Sequence, residues 1–156
     1  QKWEVSAGDG FPEIGVDIIE AKVVTLKTCL EVICYGSSES SFKNLFFLDD
    51  YACSQWSNHL GSAVEHIDEI EPGYKKVIGK LLMKMWRDET VLTKWLKLKS
   101  DYPSLFTAEF ELLNIQWFKD QAFLDSLLTG DRDWIDKKLQ EPPELFRLAA
   151  NILSRE

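Results

Sequence analysis

Apolar residues recur at steps of three and four over most of this chain, the period of an α-helix with one buried face. The clearest run begins at Phe42 and continues through Leu45, Leu48, Ala52, Trp56, Leu60, Ala63, Ile67 and Ile70. Glu71-Pro72-Gly73 interrupts it, and Pro72 suits the first turn of a following helix, where its missing N–H is not needed. A second apolar face follows, made of Tyr74, Val77, Ile78, Leu81, Leu82 and Met85. Asp88 can cap a fresh segment over Glu89 to Leu98, carrying Val91, Leu92, Trp95 and Leu96, so 73–98 reads either as one helix or as two with a bend. The pattern predicts two amphipathic segments folded back on each other at Pro72-Gly73.

An earlier stripe, Ile18, Ile19, Val23, Leu26, Leu30 and Ile33, is widened by Val24, Cys29 and Val32. A stripe that wide belongs to a helix buried on more than one side. Asp17 with Glu20 three residues later forms a capping-box-like start, and Gly36 is a natural stop. Upstream, Gly8, Gly10, Pro12 and Gly15 break any helix, so 1–16 reads as an irregular arm pinned by Trp3, Phe11 and Ile14. Downstream come shorter segments. Ser104 or Thr107 opens one through Phe110, Leu113, Ile115, Trp117 and Phe118. Another spans Gln121 to Leu128 and ends at Gly130. Asp131 or Asp133 caps a third with Trp134, Ile135 and Leu139, and Pro143 opens a last one through Leu145, Phe146, Leu148, Ala149 and Ile152. The reading is an all-α, single-domain bundle of about six to eight helices around a central antiparallel helical hairpin, residues 42–100. The arm is 1–16 and the helical domain 17–156.

Charge changes this picture, because it is segregated. The whole chain carries −8, yet residues 72–100 hold eight Lys or Arg against two acids, and 37–71 hold one against seven. Lys76, Lys80, Lys84 and Arg87 share one face of the basic segment, opposite its apolar stripe. Glu65, Asp68 and Glu69 form the acidic complement, expected near Lys75 and Lys76 if the hairpin closes. A net negative chain is a poor general ligand for phosphate backbones, so nucleic acid is disfavoured as a partner. No apolar run approaches the roughly 18–20 residues of a membrane span, so no membrane partner is expected. The three cysteines, Cys29, Cys34 and Cys53, lack disulfide or zinc spacing and point to a reducing, cytoplasmic setting.

Candidate chemistry is sparse. His59 and His66 stand two helical turns apart, but neither has the Glu three residues earlier that helical di-metal sites use, nor do they match the i, i+4 spacing of zincins. Asp49-Asp50 begins like the magnesium-binding pair of all-helical prenyl-diphosphate enzymes, with Cys53 where a third acid belongs. Asp131 to Asp136 has Ile135 in the third ligand position of a calcium loop and no loop glycine after it. No metal and no cofactor is therefore expected. Trp134 among Asp131, Asp133 and Asp136 reads better as an anchor for a basic surface.

The preferred expectation is a non-enzymatic, acidic protein-binding module: an inhibitor or immunity-type protein that neutralises a basic partner such as a toxin or nucleic-acid-binding protein. Its contact residues would be Asp131, Asp133, Trp134, Asp136, Glu65, Asp68 and Glu69. The rival classes are an enzyme or small-ligand binder with a helix-lined pocket, and an adaptor subunit that forms homo-oligomers through Trp-rich faces.

Overall fold

The computed structural model describes residues 17–36, 46–98, 106–140 and 143–155. The expected N-terminal arm, the linker after Gly36 with Phe42 and Leu45, the stop at Asp101-Tyr102-Pro103 and the start at Ser104 lie outside the described residues.

The fold is all-α. Its described helices are α1 (Ile18–Tyr35), α2 (Phe46–Val64), α3 (Pro72–Arg87), α4 (Glu89–Leu98), α5 (Ala108–Phe118), α6 (Gln121–Asp125), α7 (Thr129–Lys138) and α8 (Arg147–Ser154). No helix among the described residues is long and apolar enough to cross a membrane.

Local signals account for most boundaries. The Glu20 N–H donates to Asp17 Oδ1 at 3.0 Å and starts α1. The chain leaves α1 at Gly36, whose φ of 77° lies where glycine is favoured, and the Gly36 N–H closes the last turn on the Val32 carbonyl. Pro72 occupies the first turn of α3. Between α3 and α4 the backbone turns extended at Asp88, whose carboxylate accepts from the N–H groups of Thr90 at 2.9 Å and Val91 at 3.3 Å. Residues 73–98 are thus two helices. Desolvation works to raise the Asp88 pKa, but those N–H groups and the Lys84 ammonium outweigh it and hold the carboxyl below its ordinary range. Thr107 caps α5 through the Phe110 N–H at 3.1 Å, and Asp120 caps α6 through Phe123.

Three boundaries depart from expectation. The α2 stripe was expected to run as helix to Ile70, but α2 ends at Val64 and passes through a tight turn into a single 3-10 turn, Ile67–Glu69. Pro72 forces Glu71 into the extended region, so the helix must end upstream while Ile70 still turns inward and is buried. The segment expected over Gln121 to Leu128 ends as α6 at Asp125, and Gly130 does not stop it; Gly130 lies in the first turn of α7, which begins after Leu128 with no side-chain cap, so neither Asp131 nor Asp133 caps it. Pro143 precedes a turn at 145–146, and the last helix opens later, at Arg147.

α1 is the shared neighbour at the centre, packed on α2 and on α3. α5 packs on α2, α6 on α3 and α8 on α4. α2 and α3 are held together chiefly through α1 and through side chains, with the Trp56 and Trp86 rings 6.1 Å apart. The buried residues form one connected core. Its densest part is aromatic. Trp56 meets Trp95 edge-on at 5.6 Å and Phe110 at 5.4 Å, and Trp86 lies 4.9 Å from Phe146. The surplus of tryptophan therefore serves packing: Trp56, Trp86, Trp95 and Trp117 are fully buried and Trp134 is half-buried. Among the described residues no exposed Trp-rich face is present for self-association.

Lys75 is the one buried lysine among the described residues. Its ammonium meets Asp120 Oδ2 at 2.9 Å with both side chains only 11% exposed, and its carbonyl accepts from the Trp117 indole at 3.0 Å. This pairing ties α3 to the junction of α5 and α6. It replaces the pairing with Glu65, Asp68 or Glu69 expected from the sequence. Asp120→Ala strands the Lys75 charge and removes the α6 cap, and is expected to cost about 3 kcal/mol, with Asp120→Asn milder because an amide oxygen can still cap. Urea denaturation of both variants checks this.

Two glycines inside helices make a matched test. A Cβ at Gly79 in α3 would overlap the Phe123 ring, whereas one at Gly61 in α2 would sit 3.6 Å from Leu113 Cδ1, an ordinary contact. Gly79→Ala is expected to destabilise by about 1–3 kcal/mol, and Gly61→Ala to stabilise by up to about 1 kcal/mol. Thermal or urea midpoints of the pair decide it.

Candidate functional site

The charged groups that the fold gathers lie where α1 and α3 begin and α2 has ended. The turn after α2 presents Glu65 and His66, the 3-10 turn presents Asp68 and Glu69, and Glu71 precedes Pro72. α1 contributes Asp17 and Glu20. Two adjoining depressions open here. One, of about 420 Å³, is lined by Val64, Glu65, His66, Ile67, Asp68, Glu69, Gln116 and Lys119. The other, of about 100 Å³, is lined by Asp17, Ile19, Glu20, Val23, Glu69, Ile70, Glu71 and Tyr74. Glu69 lines both, so six carboxylates from three elements form one acidic face.

Some of these acids also serve the fold. Asp17 caps α1, and Glu20 does not close the expected capping box but accepts from the Tyr74 hydroxyl at 3.3 Å. Glu69 lies 3.6 Å from His66 Nδ1, while Lys22 donates to His66 Nε2 at 3.4 Å. Glu65, Asp68 and Glu71 are exposed and make no ion pair among the described residues. Asp17, Glu20 and Glu71 crowd the positive ends of two helices, which lowers the cost of gathering like charges.

The second expected cluster, on α7, is arranged differently. Asp131 is held by Arg87 at 2.7 Å and Asp136 by Arg132 at 3.4 Å, leaving Asp133 exposed without an ion pair. Trp134 packs edge-on against Phe118 at 6.2 Å, with the Arg87 guanidinium and the Lys138 ammonium each 5.7 Å from its ring. Trp134 is thus a brace between α7, α3 and α5 rather than a free anchor. No described depression or contact joins this cluster to Glu65, Asp68 and Glu69.

The remaining groups offer little chemistry. His59 shares a hydrogen bond of 2.8 Å with the Tyr51 hydroxyl, and burial lowers its pKa. His66 lies past the end of α2, so the two histidines do not share a helix face as their spacing implied. Asp49 and Asp50 sit in the first turns of α2, on a wide, open depression of about 1000 Å³ shared with Glu89, Thr90, Thr93, Lys94 and Lys97. Lys94 and Lys97 share it with the three acids, so the acid pair does not stand as an isolated site for a cation. All three cysteines are buried and unpaired. Burial pushes the Cys29 and Cys53 thiols up to about 11 and Cys34 up to about 12, with the Cys34 thiol donating to the Leu81 carbonyl at 3.5 Å. A thiol held neutral and shielded is a poor nucleophile. Labelling by a thiol-disulfide reagent at neutral pH is therefore expected to be slow in the native protein and complete within the mixing time in denaturant. Rapid native labelling of any one of them would contradict their burial.

No family model, no curated protein and no solved structure matches this chain.

The sequence identified Glu65, Asp68 and Glu69 but missed Asp17, Glu20 and Glu71, which had read as capping or helix-end residues. Asp17 and Glu20 lie roughly fifty positions before the others, and periodicity carries no information about which helix ends meet; Glu71, two positions after Glu69, read only as the end of a segment.

Proposed function

We propose that this chain is a non-enzymatic interaction module whose acidic face docks on a basic protein, in the manner of an inhibitor or immunity-type protein. One observation carries the reading. Six carboxylates from α1, the 3-10 turn and the start of α3 surround two adjoining depressions, and Glu65, Asp68 and Glu71 among them have no cationic partner. A fixed cluster in which six carboxylates outnumber the one lysine lining the same depressions, Lys119, raises the encounter rate with a basic surface and penalises wrong partners. The net charge of −8 adds long-range attraction of the same sense. Concave walls containing Val64, Ile67 and Gln116 add apolar and hydrogen-bonding area to the charge. The α7 cluster supports the reading less well, since Asp131 and Asp136 are already neutralised within the chain. The three buried thiols without disulfides suit a reducing, cytoplasmic setting for this encounter.

The test uses a basic candidate partner, first among them any toxin encoded beside this chain. The triple variant Glu65→Lys, Asp68→Lys, Glu71→Lys alters only exposed side chains and should leave the circular dichroism spectrum nearly unchanged, with a slightly lower melting point because Glu71 no longer offsets the positive end of α3. At about 1 kcal/mol per reversed charge it should weaken the complex roughly 100-fold. Affinity should also fall steeply as salt rises. A complex indifferent to this variant, or one lost instead on Asp133→Lys, would move the contact away from this face.

A further inference from the structure

The surface changes sign along α3. Lys76 and Lys80, one turn apart, are exposed, and neither makes an ion pair or a hydrogen bond. Lys84 and Arg87 continue the row, but each is engaged: Lys84 with Asp88 at 3.3 Å and Arg87 with Asp131 at 2.7 Å. Apolar area accompanies the charge. Val77, between the two free lysines, is 41% exposed, and Tyr35 is 53% exposed with its ring 5.4 Å beneath the Lys84 ammonium. A shallow groove of about 380 Å³ runs on from Lys80, lined by Met83, Lys84, Arg87 and Asp88.

Among the described residues, exposed lysines without an ion pair occur elsewhere, as at Lys94 and Lys97 on α4, but those share a depression with Asp49, Asp50 and Glu89, whereas Lys80 lines one whose acid, Asp88, is engaged by Lys84. The acids neighbouring Lys76 and Lys80 do not neutralise them: the buried Lys75 takes Asp120, and Asp88 and Asp131 take the far half of the row. We infer that this face of α3 is a second docking surface, and that its occupant is a short acidic segment of a partner protein carrying an apolar residue that packs on Val77. The carrying argument is charge complementarity with apolar area inside it, which is how acidic protein motifs are read by basic grooves. A nucleic acid is the poorer occupant. In the described row on α3 only Lys76 and Lys80 are free to displace counterions, so its binding there would gain little from the polyelectrolyte effect. A long, evenly charged strand would also run onto Asp88 and Asp131 at one end of the row and Glu71 at the other, whereas a short segment ends before it meets them. This surface adjoins the acidic face at Glu71 and is opposite to it in sign. The full chain would then hold a basic and an acidic partner at once.

The probe is a fluorescein-labelled synthetic peptide of alternating Glu and Asp with a central Leu, titrated with the full chain and followed by anisotropy at low salt. Lys76→Glu with Lys80→Glu should weaken binding by roughly tenfold or more. Lys97→Glu with Lys137→Glu, an equal charge change on other helices, should shift it by less than about threefold. Val77→Asp should weaken it as well, while Val77→Leu should not. The acidic-face triple variant should bind the peptide undiminished, so this proposal and the preceding one fail separately. Equal loss in both lysine pairs would reduce the effect to net charge and overturn the proposal, as would no binding at all. Tighter binding of a single-stranded oligonucleotide of the same length would overturn it in favour of nucleic acid. Sedimentation showing that unmodified chains associate, and that Lys76→Glu with Lys80→Glu abolishes the association, would overturn it in favour of a second copy of this chain.

Discussion

A buried indole N–H must find an acceptor, and three tryptophans of this protein find theirs on a different helix. Trp95 of α4 donates to the Cys53 carbonyl of α2 at 3.0 Å, Trp117 of α5 to the Lys75 carbonyl of α3 at 3.0 Å, and Trp86 of α3 to Asn114 Oδ1 of α5 at 2.8 Å. Each ring buries on the order of 150–250 Å², but area alone tolerates sliding. A hydrogen bond to one particular acceptor does not, because a shifted helix would strand a donor at a cost of about 1–3 kcal/mol. The acceptors are themselves held: the fully buried Asn114 turns its amide onto the Phe110 carbonyl at 2.9 Å. Trp56 is the exception: among the described residues its Nε1 has no acceptor, and its ring packs edge-on against Trp95 and Phe110. These bonds tie α4 to α2 and α3 to α5 at defined positions, while α1 joins α2 and α3 by packing.

The surface inherits its charge layout from this arrangement. With one side of α3 committed to Ile78, Leu82, Met85 and Trp86, its lysines other than the buried Lys75 face outward, and the fold supplies acids for Lys84 and Arg87 but none among the described residues for Lys76 and Lys80. The same register brings the starts of α1 and α3 together beside the 3-10 turn, where Tyr74 reaches Glu20. Acids already favoured at helix N-termini by capping and by the helix dipole are thereby concentrated into one face. Local stabilisation and a patch suited to binding arise from the same residues, so Asp17 and Glu20 cannot be altered without touching α1, while Glu65, Asp68 and Glu71 can.

Legibility varied with the range of the forces involved. The stripes of α1 and of the α2 core, the Asp17, Asp88 and Thr107 caps and the Gly36 stop were all readable, since each depends on residues within a turn or two. The end of α2 was misjudged because Ile67 and Ile70 keep the helical spacing although Pro72 has already drawn the backbone out of the helix. Gly130 was misplaced for a related reason: glycine favours a helix stop but does not forbid a first turn. The closeness of Gly79 to Phe123 had no local signal at all. Trp134 among three carboxylates looked available, yet Arg87, 47 positions earlier, takes one acid and covers the ring.

What the sequence determined by itself was the helical class, most of the helix limits, the inward-facing residues and the separation of basic from acidic segments. Those properties rest on backbone hydrogen bonding, on amphipathic period and on covalent order, all of which are local. Only the tertiary structure decided which charges are spent and which are left over. Lys75 could have met Glu69 or Asp68 a few residues away, but burial on α3 delivered it to Asp120 instead. Charge pairing depends on which surfaces come within a few ångströms after the apolar core has closed, and that choice is made by packing over the whole chain.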